Sequence, residues 1–210
     1  MYISKVILDR RAPSIWQCLS NCQDMHRNIM KMFESSRKEA GVLYRMYLKN
    51  SEASVYVLSQ IEPINAELPH GMKLIGTKEI SSLINTFNKG ECFAFDLLAA
   101  PSKKIDIENK KNSRRRALQT QEERLEWLNS KAASGGFIIN SVQECGKERY
   151  YGTHNAENGG KMVIDAIHFQ GSLCIDDRDK FVSMYKSGIG PGKAYGLGMI
   201  LLMRRQVHNG

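Results

Sequence analysis

The sequence lacks any long apolar run. Its longest is Met199-Ile-Leu-Leu-Met203, far short of the ~20 residues a membrane-spanning helix requires, so no membrane role is expected. The opening Met1-Tyr-Ile-Ser-Lys-Val-Ile-Leu8 has neither the long apolar core nor the small-residue cleavage site of a secretory signal, and a cytoplasmic location is expected. Cysteine is scarce, five in 210 residues, and odd in number. Cys18 and Cys22 are the only close pair, and no second pair or matching histidines complete a zinc site. Reduced, structural cysteines are therefore expected, with no metal and no cofactor. Acidic residues are also short, 22 against 30 Lys plus Arg, a formal net charge of +8. That excess points to a polyanionic partner such as nucleic acid, an anionic membrane or a phosphorylated ligand. An apolar content of 42% with 25% charged residues is that of a folded chain and excludes a disordered one.

The pattern of apolar residues sets an order of elements. Residues 2–8 read as a strand, followed by a loop holding Pro13. Cys22, Met25, Ile29, Met32 and Phe33 fall on one face of a helix that Gly41 stops. Strands are expected at 42–49 and 54–61, an irregular stretch at 63–74, and a helix or strand at 78–85. A strand at 91–98 comes next, then a helix from Thr120 to Ala133, capped by Thr120 with Glu123 three residues on and ended by Gly135-Gly136. Phe137–Val142 and Met162–Ile175 read as strands around a polar loop, Asp176–Lys186 as a short helix and Leu197–Met203 as a last strand. This is β-α-β-β-α-β written twice: an α+β chain of two tandem ferredoxin-like units, expected at 1–88 and 89–210. Such a fold hosts many functions.

Two stretches invite a ligand. Five of seventeen glycines fall in Gly188-Ile-Gly-Pro-Gly-Lys-Ala-Tyr-Gly-Leu-Gly198. A P-loop requires Ser or Thr after Gly-Lys and a glycine five residues before the lysine's own glycine, whereas Ala194 and Ser187 stand there. A dinucleotide fingerprint joins a strand to a helix, and this segment precedes a strand. It remains either a flexible connector or a run of free N–H groups, with Gly190, Gly192 and Lys193, suited to a phosphodiester backbone. The second stretch, 103–116, holds Lys103, Lys104, Lys110, Lys111, Arg114, Arg115 and Arg116 against Asp106 and Glu108. It is either a solvated hairpin or a phosphate-binding surface.

Among the histidines, His154 stands in a polar loop as a candidate ligand contact, and His168 lies in a strand. His26 is near a helix start capped by Asn21 or Asp24, with Arg27 and Lys31 following. The positive end of the helix dipole favours its neutral form, which suits a general base. The same position, at the edge of the apolar arc, also suits a core histidine, so spacing alone leaves both roles open.

These segments together resemble the CasE (Cse3) family, the CRISPR repeat-RNA endoribonucleases of Cascade. The resemblance rests on the glycine loop 188–198, the opening eight residues, Asp24-Met-His-Arg27, Glu126-Trp-Leu128 before Gly135-Gly-Phe137, and Ile167-His-Phe-Gln-Gly-Ser-Leu173. It implies two ferredoxin-like domains, a cleft for a CRISPR repeat hairpin RNA, metal-independent cleavage at the base of the stem, and retention of the crRNA with other Cascade subunits. It implies that His26 is the catalytic histidine and Lys31 its companion. The expected RNA contacts are Arg27, Lys103, Arg114, Arg115 and Arg116 among the basic residues, Gly190, Gly192 and Lys193 of the glycine run, and Arg149, near which the resemblance implies an active-site arginine. Two positions depart from the family: Gln23 stands where some members have tyrosine, and Leu98-Ala-Ala-Pro101 where Arg-Ala-Asn-Pro is frequent. A non-catalytic RNA-binding subunit on the same fold is the competing expectation.

Overall fold

The computed structural model describes residues 1–48, 52–64, 67–105, 114–153 and 160–204. Strand β1 (Tyr2–Leu8) alternates side chains between a buried and a half-exposed face, as the period of two demands. It lies between β3 (Ala53–Ser59) and β4 (Met72–Glu79), and β2 (Leu43–Leu48) completes an antiparallel sheet of order β2-β3-β1-β4. The second sheet takes β5 (Cys92–Ala99), β8 (Phe137–Thr153), β9 (Lys161–Ile175) and β10 (Ile200–Arg204) in the order β10-β5-β9-β8. Both orders are the 4-1-3-2 arrangement of a ferredoxin-like unit, so the chain is two such units in tandem.

The helices depart from expectation in the first unit. Pro13 opens a helix, α1 (Pro13–Ser20), at whose first turn its missing N–H costs nothing. The single helix expected up to Gly41 is two. The segment α2 (Cys22–Met30) ends early, and a capping box between Ser36 and Glu39 starts α3 (Arg37–Ala40), which Gly41 terminates with φ 59°. Between β3 and β4 there is no helix among the described residues, and α4 (Ser81–Asn85) follows β4 instead. The second unit matches more closely. Thr120 and Glu123 form the expected capping box of α5 (Gln121–Ser134), and α6 (Arg178–Ser187) follows β9. The expected polar loop is much shorter, because β8 and β9 continue as one long hairpin to Thr153 and Lys161. The basic stretch is a hairpin of β6 (Ser102–Ile105) and β7 (Arg114–Ala117).

The two units are joined by packing and charge. One core cluster draws Leu43, Leu58, Ile80 and Phe87 together with Phe93, Leu97, Phe169 and Phe181. Phe93 and Phe95 of β5 are buried. Arg45 of β2 donates to Asp96 of β5 at 3.3 Å, and His168 and Gln170 of β9 engage the other carboxylate oxygen at 2.7 and 2.8 Å. Cys92 and Cys174, opposite each other on β5 and β9, form a disulfide, so the expectation of reduced thiols holds only for Cys18, Cys22 and Cys145. Strand register brings that pair together across 82 residues of sequence, a juxtaposition that spacing does not reveal. Among the described residues, no helix is long and apolar enough to cross a membrane.

Candidate active site

His26 lies on α2, whose N-cap Asn21 accepts from the Gln23 N–H at 3.0 Å. Five residues into the helix, it is past the turn where the dipole acts. Its pKa falls below the ordinary 6.5 for other reasons, first burial and then the positive charge of Arg37. The outcome expected from sequence, a neutral imidazole, stands on a different cause. The Nδ1 atom is enclosed and has no hydrogen-bond partner among the described residues. Proton exchange is therefore left to Nε2 on the half-buried ring.

The glycine loop of the second unit lies against this helix. Residues Lys193–Tyr195 form a single 3-10 turn, and the Tyr195 ring meets His26 edge-on at a centroid distance of 6.3 Å. The buried Tyr44 of β2 donates from its hydroxyl to the carbonyl of Ala194 at 2.9 Å, fixing the turn from below. Backbone closeness requires the glycines. A Cβ on Gly196 would stand 2.9 Å from the Tyr44 ring and one on Gly190 2.8 Å from Trp127, and both residues have positive φ, 82° and 77°. The loop is therefore a fitted part of the interface between the units, which excludes the flexible connector.

From this point a groove of about 620 Å³ opens between α5, α6 and the glycine loop, lined by Arg115, Trp127, Lys131, Lys180, Gly190 and Lys193 among others. The Lys131 ammonium sits 5.9 Å from the Trp127 ring centre. Burial, and then the charges of Arg37 and Lys131, lower the pKa of Lys193. Lys180 is paired with Asp177 at 3.1 Å; among the described residues neither Lys131 nor Lys193 has a carboxylate partner. Cations thus line the groove, and Lys193 shares its 3-10 turn with the Tyr195 that meets His26.

The remaining candidate residues distribute differently. Lys31 and Arg27 line a separate groove with Asp24, Cys18 and Asn28, and Arg27 is ion-paired with Asp24. Lys103 pairs with Glu123 at 3.5 Å and Arg149 with Asp165 at 2.6 Å. Arg115 and Arg116 are exposed on β7, where Arg116 faces Lys103 in the ladder and Arg114 begins the strand. His154 lies outside the described residues. Sequence reasoning missed Arg37, whose charge bears on both His26 and Lys193, because eleven residues of sequence separate it from His26 across a helix break. Tyr195 stood in the glycine motif, but nothing in its spacing tied it to α2.

Fold and site together define a tandem ferredoxin-like protein with a half-buried histidine against the glycine loop where its halves meet, and a cationic, phosphate-compatible groove in the second unit on that loop. The chain belongs to the CRISPR associated protein family, which matches residues 1–204. The CRISPR-associated endoribonuclease Cse3 of Thermus thermophilus is 25% identical, the match covering 95% of this chain and 98% of that protein. The CRISPR system Cascade subunit CasE of Escherichia coli K12 is also 25% identical, covering 96% and 98%. A structure of CRISPR endoribonuclease Cse3 bound to a 19-nucleotide RNA superposes with a TM-score of 0.82 at 26% identity, covering 97% of this chain and 100% of that one.

Proposed function

We propose that this protein is an endoribonuclease that cleaves CRISPR precursor RNA at the base of the repeat hairpin and remains bound to the crRNA with other Cascade subunits. The carrying observation is the full-length likeness to RNA-bound Cse3. The meeting of His26 with the glycine loop supports it. The division into a first unit of residues 1–88 and a second of 89–210 is part of this reading, supported by the two complete sheet orders on either side.

The chemistry follows from the groups available. His26 Nε2, neutral at neutral pH, accepts the proton of the 2′-hydroxyl beside the scissile phosphate. The 2′-oxygen attacks phosphorus and the P–O5′ bond breaks. The departing 5′-oxygen takes up a proton, leaving a 2′,3′-cyclic phosphate and a 5′-hydroxyl. No proton or electron is gained or lost overall. Backbone N–H groups of Gly190 and Gly192 and the cations of the groove hold the phosphate chain. Arg27, Arg114, Arg115, Arg116, Lys103 and Arg149 supply further phosphate contacts, the paired ones exchanging their carboxylates for RNA.

The test uses purified protein and a labelled repeat-hairpin RNA in excess EDTA. A single cut at the stem base is expected. His26→Ala should lower the single-turnover rate by ~10²–10⁴ while leaving affinity within a few-fold and the melting temperature near that of the parent. Stable retardation of the hairpin without cleavage by the parent protein would instead establish the non-catalytic binder. Joint loss of stability, binding and cleavage in His26→Ala would assign His26 to the core.

A further inference from the structure

We propose that Tyr195 is a positioning residue: its ring, packed edge-on against His26 from the second unit, holds the imidazole in the orientation that presents Nε2 to the RNA. This rests on the function proposed above and adds to it the group that orients the base.

A histidine that moves protons is ordinarily oriented through its other ring nitrogen, which bonds a carbonyl or a carboxylate and so fixes both tautomer and rotation. His26 has no such partner among the described residues, where its Nδ1 is enclosed and unbonded. Rotation of the ring is then limited by packing and not by a hydrogen bond on the buried side. The Tyr195 ring supplies packing at a centroid distance of 6.3 Å and an interplanar angle of 77°, a separation and tilt at which aromatic edges and faces attract. Both rings are half-buried, so the contact keeps one side of the imidazole covered while Nε2 stays available.

A group that positions another must itself be fixed, and Tyr195 is. Its N–H donates to the Gly192 carbonyl at 2.8 Å and closes the 3-10 turn. Gly192 and Gly196 on either side take φ of 79° and 82°, so the chain enters and leaves the turn in conformations that favour glycine. The Tyr44 hydroxyl holds the preceding carbonyl, that of Ala194, at 2.9 Å. Just beyond the turn, the Gly198 N–H donates to the Leu98 carbonyl at 2.7 Å. The ring therefore stands on a turn tied to β2 of the first unit and β5 of the second. Burial first, and the charge of a Cys22 thiolate second, raise the phenol pKa above its ordinary 10, so near neutral pH the ring is uncharged and acts through its surface. Tyr195 gives up no proton, and the transfer between the 2′-hydroxyl, His26 and the 5′-oxygen is unchanged. Because His26 belongs to the first unit and Tyr195 to the second, the base is aimed only when the two units are docked.

The experiment compares Tyr195→Phe and Tyr195→Leu in the full chain, each also combined with His26→Ala. The probes are a repeat-hairpin RNA and its analogue with a 2′-deoxy scissile nucleotide, which binds without being cut. Tyr195→Leu fills much of the space without a flat aromatic edge. It should cut ~10–10²-fold more slowly in single turnover, the scale of a misplacement of about 1 Å, with affinity for the deoxy analogue within a few-fold. Tyr195→Phe keeps the ring and should cut within about threefold of the parent. In the His26→Ala background Tyr195→Leu should cost no further rate, since a residue that acts through the imidazole has nothing left to aim; a loss that a merely structural role produced would appear there too. Parental rate in Tyr195→Leu, with His26→Ala inactive, would overturn this inference and leave the proposed function standing. So would a Tyr195→Phe as slow as Tyr195→Leu, which would assign the effect to the hydroxyl, or a fall in rate matched by an equal fall in affinity, which would make Tyr195 an RNA contact. A parent protein that fails to cut would overturn the function itself. Should Tyr195→Leu not fold, Tyr195→Met, which fills the same space with a flexible chain, is read against the same outcomes.

Discussion

At the scale of single residues, a histidine can act as base only while it is neutral, and the environment of His26 secures that. Burial first and Arg37 second hold its pKa below 6.5. The unfolded chain then binds a proton at this site more readily than the folded one. Stability from this group is full above the ordinary histidine pKa and is lost as pH falls through the lowered folded value. His26→Gln removes the effect. Urea unfolding of parent and variant at pH 8 and pH 5 should show the parent losing more stability on acidification, and equal losses would mean the imidazole is not held neutral by the fold. Gln23 needs no part in this. Its backbone N–H is occupied by the Asn21 cap, and its side chain cannot usefully exchange a proton.

At the scale of elements, the site depends on how loop and helix are pinned. The long helix α5 is tied to β8 by a two-pronged ion pair. Arg124 Nε and Nη2 donate to the Glu144 carboxylate at 2.7 and 2.6 Å, and Nη1 donates to the Gln119 carbonyl at 2.7 Å. This sets α5, with Trp127 and Lys131, as one wall of the groove. The other wall is the glycine loop, and Gly196 is its most demanding point. Alanine there would force a positive φ on a residue with a Cβ and press that carbon against Tyr44. We expect Gly196→Ala to cost about 1–3 kcal/mol in unfolding free energy and to reduce cleavage more than hairpin affinity, because the 3-10 turn moves away from His26 while most phosphate contacts survive. Unchanged stability and rate together would show that the loop is not seated on Tyr44.

At the scale of the whole molecule, the proposed function has net charge draw RNA in and the groove orient it. The β6–β7 hairpin presents Arg115 to the groove and exposes Arg116. Replacing Arg114, Arg115 and Arg116 together by alanine should weaken hairpin binding and flatten the plot of log affinity against log salt, by about 1 for each phosphate no longer neutralised. A slope identical to the parent's would make the cluster a solvated face. Thermal stability should hardly change, since the exposed Arg115 and Arg116 contribute little to folding.

Much of this protein is set by local sequence. The strands β1, β2, β3 and β5, the capping box of α5 and the stop at Gly135 follow from alternation, helical period and cap chemistry, each acting within a few residues. The βαββαβ order of the second unit was legible for the same reason, and so was the cationic character of residues 103–116. The structure decided what depends on contacts between distant segments. The break of one apolar periodicity into α2 and α3 was itself local, a Ser36–Glu39 capping box that the periodicity overrode in the sequence reading. The polar residues after Val142 extended β8, since pairing with β9 satisfies their backbone whatever their side chains. The site was legible as separate pieces, a histidine and a glycine run, with no signal that they meet. That meeting is made by Tyr44, which lies in the first unit and bonds Ala194 in the second. Composition and period report what a residue does to its neighbours in sequence; a reactive site is built from groups that only tertiary packing makes neighbours.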